Sequence, residues 1–187
     1  METVTAQAEL RRAYVRGGPG AVVSGLVWLA AGSTAAGSGV PAGFTVLFFG
    51  GMLIFPISAL LVRAAFRRPP PPRENPGGLT VIETVFPMIG GLLAAWLLMG
   101  SRPDLVFSVA AIAVGAHYFG FRTAYGDWTY WVLAAVMCLV GLGAIFVRVP
   151  SAAAVPFVIA AVEVGFGAWF TWMGIKEGRT ATVSCGA

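Results

Sequence analysis

Six apolar runs of about 17–22 residues fill positions 20–175, and a helix of that length spans the hydrocarbon of a bilayer. They lie at 20–38, 42–66, 79–99, 104–121, 129–147 and 154–175. Composition leaves little alternative. Of 187 residues, 58% are hydrophobic and 11% charged, against roughly 25% charged in an ordinary soluble domain, so the polar surface needed to cover a soluble core is missing. The chain therefore reads as all-α, a polytopic membrane helix bundle of six transmembrane helices. One domain covers 20–175, preceded by segment 1–19 and followed by a tail at 176–187.

The net charge of +4 does not mark a nucleic-acid binder, because nearly all Lys and Arg sit at the ends of apolar runs. With both termini on one side, only Arg102 and Arg148 fall on the opposite side. The positive-inside rule then makes both termini cytoplasmic, in a multi-pass protein of a bacterial inner membrane. Arg11, Arg12 and Arg16 ahead of an apolar stretch and small residues also fit a cleavable signal peptide, but Trp28 and the Gly-rich approach favour a retained helix. Cys138 and Cys185 provide neither a disulfide framework nor a zinc spacing.

The longest connection, 67–78, holds Pro69-Pro70-Pro71-Pro72, a polyproline II strut that can continue neither flanking helix. Short turns elsewhere make consecutive helices antiparallel neighbours. Ala111/Gly115, Ala116/Gly120 and Gly90/Ala94 are small residues four apart, suited to close helix packing or to association of copies. Pro56, Pro87 and Pro156 are expected to kink or start helices. The six Trp, at 28, 96, 128, 131, 169 and 172, are expected mostly at membrane interfaces. Three helices followed by three would permit an inverted repeat, with Glu83 and Glu163 each on the third helix of a half.

Few residues can carry chemistry. Glu83 lies about four residues into the third span, roughly 6 Å deep at 1.5 Å per residue. Glu163 is nine residues into the sixth, about 14 Å deep and near the midplane, and His117 lies about 20 Å into the fourth. An ionisable side chain at the bilayer centre costs about 2.5–3.5 kcal/mol on insertion scales, so it calls for a partner, a cavity or a function. Glu163 has no local partner and suits a proton donor; Thr80 or Thr84 could satisfy Glu83; His117 could orient or deprotonate a carboxyl. Asp104 after Pro103 is expected to cap the fourth helix, and Asp127 to belong to a turn with Tyr125, Trp128 and Tyr130 at the mouth of a cavity. A phosphate-cradling Gly-rich loop and a His or Cys pair at metal-ligand spacing are both missing, so neither a metal nor another cofactor is expected.

From Phe55-Pro56-Ile57-Ser58 through Asn75-Pro76 to Gly115-Ala116-His117, over most of its length, the chain resembles a family of small six-helix bacterial membrane proteins of unknown function. That resemblance implies architecture and leaves activity open. Glu83, Glu163 and the aromatic interior also look like the transmembrane terpene cyclases of meroterpenoid and indole-sesquiterpenoid pathways, although those of fungi have seven helices and share no motif with this chain. The likeness implies metal-free, acid-initiated cyclisation or isomerisation of an apolar prenylated small molecule drawn from the bilayer. Glu163 would be its acid, Glu83 its counter-charge or base, and His117 a helper. Phe86, Tyr118, Phe119, Phe166, Trp169 and Phe170 would supply the π-faces that stabilise a carbocation. Two other classes fit the same residues: a proton- or cation-coupled transporter or channel subunit using Glu163 and Glu83 as a relay, and an accessory protein that acts by packing.

Overall fold

The structure, a computed structural model, describes residues 2–147 and 151–184, with side chains as far as Gly178. Seven α-helices follow one another: α1 (Thr3–Ala13), α2 (Gly18–Ser38), α3 (Val40–Ala65), α4 (Pro76–Leu97), α5 (Val106–Tyr125), α6 (Thr129–Phe146) and α7 (Ala154–Ser184). Segments carried by α2 to α7 are long and apolar enough to cross a membrane, as the six runs predicted. Among the described residues there are no strands. Arg148, taken above as a turn residue, and Cys185 lie outside the described residues.

The added helix is α1, which patterning for membrane spans does not look for. Its Ala6, Leu10 and Ala13 are buried against the bundle. Polar bonds fix it: Gln7 donates to the Thr123 carbonyl at 2.9 Å, and Arg11 donates to the Tyr125 carbonyl. Asn75 does double work. Its side-chain oxygen accepts from the Gly77 N–H at 3.0 Å, capping α4, while its amide donates to the Ala6 carbonyl at 3.0 Å and to Glu9 at 2.8 Å.

Hydrophobic burial does not drive helix association in lipid, so backbone proximity and van der Waals fit must do so. On α2, Gly18, Gly25 and Gly32 recur every seven residues, and all three face α7. A Cβ on Gly25 would lie 2.7 Å from Val164 Cγ2 and 3.0 Å from the Ala160 carbonyl oxygen. From the other side, Gly167 of α7 sits so close to α2 that a Cβ would fall 2.7 Å from Val22 Cγ2. The α5–α6 pair repeats the device: a Cβ on Gly115 would meet Cys138 Sγ at 2.9 Å, and one on Gly141 the Ser108 carbonyl oxygen at 2.6 Å.

The main partners of α2 are α3 and α7, and those of α5 are α6 and α4. Exchanging α2-α3-α4 with α5-α6-α7 maps each pairing onto the other, so the third helix of each half packs on the first helix of the opposite half. This neighbour pattern is one that two equivalent three-helix halves would give.

Several local expectations need correction. Gly90 has nothing within 4 Å of a built Cβ, and both it and Ala94 are exposed; the α4 contact onto α5 is made by Gly91 against Ala113. Ala116 is exposed as well, whereas Gly120 packs on Thr84. Asp104 does not cap α5; it sits in a 3-10 turn and pairs with Arg102 at 2.9 Å. Trp28 is 1% exposed, with its ring 6.5 Å from that of Phe107, while the other five Trp are exposed. Helices α3 and α4 continue through Pro56 and Pro87.

Gly25→Val is expected to lower the thermal midpoint in detergent by an amount equivalent to about 1–3 kcal/mol of overpacking. Gly90→Val, which meets open space, should leave the midpoint within about 0.5 kcal/mol of wild type.

Candidate functional site: a buried glutamate above an ionic cluster

Glu163 is fully buried on α7, nine residues or about 14 Å along the helix from Ala154. The α2–α7 seam puts it there, since Gly25 lets the backbone of α2 close over Ala160 and Val164 on either side of it. The hydroxyls of Ser24 on α2 and Tyr118 on α5 face the carboxyl, yet neither reaches it with hydrogen-bond geometry. Both carboxyl oxygens are without a hydrogen-bond partner. Buried polar groups in folded proteins are overwhelmingly paired, so two unmet oxygens on one carboxyl call for an explanation.

The other two residues proposed for catalysis do not join it. Glu83 is exposed on the outer face of α4. His117 is half-buried and turned toward α4, where its Nδ1 lies 2.7 Å from the Thr84 hydroxyl. One residue along α5, the helix turns by about 100°, which is why Tyr118 faces Glu163 and His117 does not. The proposed aromatic lining divides in the same way. Tyr118 and Phe170 are buried and Phe166 is half-buried, whereas Phe86, Phe119 and Trp169 are exposed.

An aromatic column runs from Glu163 toward the end of the bundle that carries α1. Tyr118 stacks on Tyr130 with centroids 6.2 Å apart, and Tyr130 stacks on Phe170 at 4.4 Å and on Tyr125 at 5.4 Å. Tyr130 then donates its hydroxyl proton to the Arg16 carbonyl at 2.5 Å.

Arg16 is the hub at that end. Its guanidinium pairs with Asp127, between α5 and α6, and with Glu177 on α7. To reach both, the chain between α1 and α2 passes through three successive positive φ values: Val15 at 50°, Arg16 at 55° and Gly17 at 74°. A β-branched residue in that region is a steric outlier, and such residues cost of order 1–3 kcal/mol each. The ion pairs, the Tyr130 bond and the burial of Val15 to 1% exposure hold the strained junction closed. The sequence marks Arg16 as a topology signal or as part of a signal-peptide basic region, and not as an interior ion-pairing residue. The clue available was Gly17-Gly18-Pro19 immediately after it, which marks a helix break where a long side chain can turn inward.

Asp127 is a structural member of this cluster. It accepts from the Thr129 N–H at 3.0 Å and the Thr129 hydroxyl at 2.6 Å besides its pair with Arg16. Burial works against its charged form, but the bonds from Thr129 and Arg16 outweigh that and hold the carboxyl below its ordinary value.

These features define a helical membrane protein with six potential spans, an acid sealed in the bundle and an arginine hub at one end. Residues 4–173 match the model of a family of unknown function, DUF7010, and the chain belongs to that family. Neither a curated protein nor a solved structure matches the chain. The likeness to terpene cyclases gains no support from these comparisons.

Because the folded value of Asp127 lies below the unfolded one, its contribution is complete above the unfolded value and disappears as pH falls through the folded one. Thermal stability should therefore fall as pH drops below about 4. Asp127→Asn, which keeps an acceptor for Thr129, should flatten that limb and cost about 1–3 kcal/mol at neutral pH, since Arg16 loses one charged partner but keeps Glu177. Melting curves from about pH 3 to about pH 7 test both.

Proposed function

We propose that the chain is a proton-handling membrane protein, a subunit of a small proton-coupled carrier or channel, in which Glu163 takes up and releases a proton inside the bundle. The observation that supports this most is the fully buried Glu163 carboxyl with both oxygens unpartnered. An ionisable residue held at that depth at an energetic cost is by default a functional group. A proton suits it better than a hard divalent cation. Calcium collects six to eight oxygens and magnesium a near-ideal octahedron, whereas Glu163 has two hydroxyls nearby and, among the described residues, no cluster of further acids or histidines.

Acid-initiated cyclisation of a prenylated substrate is the other chemistry open to a buried carboxyl, and it has less to rest on. Its second acid, Glu83, is on the outer face, and half of its proposed aromatic lining points away from Glu163. In the proposed setting the protein sits in a bacterial inner membrane with the Arg16 end toward the cytoplasm, as the arginine distribution implies.

The test is proton flux into liposomes containing the purified protein, driven by a potassium diffusion potential and read with a trapped pH dye. Wild type and Glu83→Gln are expected to carry equal flux above protein-free liposomes, and Glu163→Gln at least about tenfold less, the scale of a 1.4 kcal/mol effect. Flux no higher than in empty liposomes, or equal flux in Glu163→Gln at matched thermal stability, overturns the proposal.

A further inference from the structure

A second feature lies at the Arg16 end, away from Glu163. A recess of 160 Å³ opens there between Arg11 and Arg12 of α1, Arg68 beyond α3, and Gly174, Glu177 and Gly178 of α7. Three guanidiniums line it and one carboxylate, and that carboxylate already pairs with Arg16. Among the described residues, neither Arg12 nor Arg68 forms an ion pair. Among the described residues, the recess is thus concave and lined by more guanidiniums than carboxylates.

The backbone is arranged to bring these groups together. At the end of α3, Phe66 donates to the Val62 carbonyl at 3.2 Å, Arg67 turns left-handed at φ 52°, and the Arg68 N–H reaches back to the same carbonyl at 3.4 Å. That bond spans six residues, one more than the 6→1 bond of the usual helix-ending motif, and Arg67 holds the left-handed conformation that glycine ordinarily takes, which is costly for a side-chain residue. The turn sends Arg68 back to α7, where its guanidinium occupies the space that a side chain on Gly178 would fill. Arg11 is held in place by its bond to the Tyr125 carbonyl.

We propose that this recess binds a phosphate group, with Arg12 and Arg68 as its charged donors. A guanidinium presents a planar fork of N–H groups matched to phosphate oxygens, and two forks meeting across a recess suit a tetrahedral dianion or a phosphodiester. The volume is several times the roughly 30 Å³ share of one water in the liquid, enough for the group and its solvent. The depth is that of lipid headgroups: Lys176 Nζ lies 3.9 Å over the ring of exposed Trp172, and the apolar run of α7 gives way there to Lys176 and Glu177. The phosphate can therefore come from an anionic lipid or from a free phosphate compound.

The experiment measures binding to the purified full chain in detergent. One arm titrates phosphatidylglycerol, with phosphatidylcholine as the neutral-headgroup comparison; the other titrates inorganic phosphate, alone and as a competitor. Arg12→Gln/Arg68→Gln is compared with wild type and with Arg63→Gln/Arg73→Gln, which removes the same charge from exposed positions outside the recess. Saturable phosphatidylglycerol binding that phosphate does not displace, weakened at least about tenfold in the recess variant alone, assigns a lipid headgroup (tenfold being 1.4 kcal/mol). Saturable phosphate binding with the same variant dependence assigns a free phosphate compound. Binding of neither probe, or equal weakening in both double variants at matched thermal stability, overturns the proposal.

Discussion

A helix packed against lipid is already solvated for its apolar side chains, so what holds two such helices together is how closely their backbones approach. The α2–α7 contact meets that condition with Gly18, Gly25 and Gly32 on one side and Gly167 on the other. Much of the rest depends on this seam. It lays α7 along the inside of the bundle, so that a glutamate nine residues into α7 is sealed from solvent. It brings Ser24 to one side of that carboxyl while α5 brings Tyr118 to the other. Had α2 carried larger residues at these positions, α7 would stand off and Glu163 would be open to water or lipid.

The Arg16 hub gives the same helices a fixed end. Arg16 ties the start of α2 to α7 through Glu177 and to the α5–α6 turn through Asp127, and its carbonyl takes the Tyr130 hydroxyl. Together these bonds hold three consecutive left-handed residues that would relax in isolation. The strained junction also sets the angle at which α1 leaves the bundle. That angle carries Arg11 and Arg12 against α7 and Arg68. The sealed acid and the cationic recess are thus products of one framework, the first at mid-depth and the second at its rim.

The fold was legible in the sequence because hydrocarbon thickness translates directly into run length: five of the six runs became helices within a few residues of their expected limits, and the sixth, expected to end at 175, continues as α7 to Ser184. The depth of Glu163 along its helix was legible too, because it follows from counting residues along α7; that the carboxyl faces the bundle interior was not. What escaped was rotation. Whether Glu83 or His117 faces the interior depends on the angular setting of α4 and α5, and an all-round apolar helix carries no polar stripe from which to read it. Gly91 rather than Gly90 makes the α4 contact for the same reason. Helix α1 was missed because its stability comes from tertiary bonds to Asn75, Thr123 and Tyr125, residues remote in sequence. The seven-residue glycine spacing of α2 was visible but weakly informative without knowledge of the helix it faces.

The central claim is that the sealed carboxyl of Glu163 exchanges a proton with water rather than serving only as a packed, static group. The most direct measurement is pH-difference infrared spectroscopy of the protein in lipid bilayers, wild type beside Glu163→Gln. The account predicts a carboxyl C=O band that changes with pH, responds to deuterium exchange and is missing from Glu163→Gln. A wild-type difference spectrum identical to that of Glu163→Gln at every pH, with both proteins folded, would contradict it.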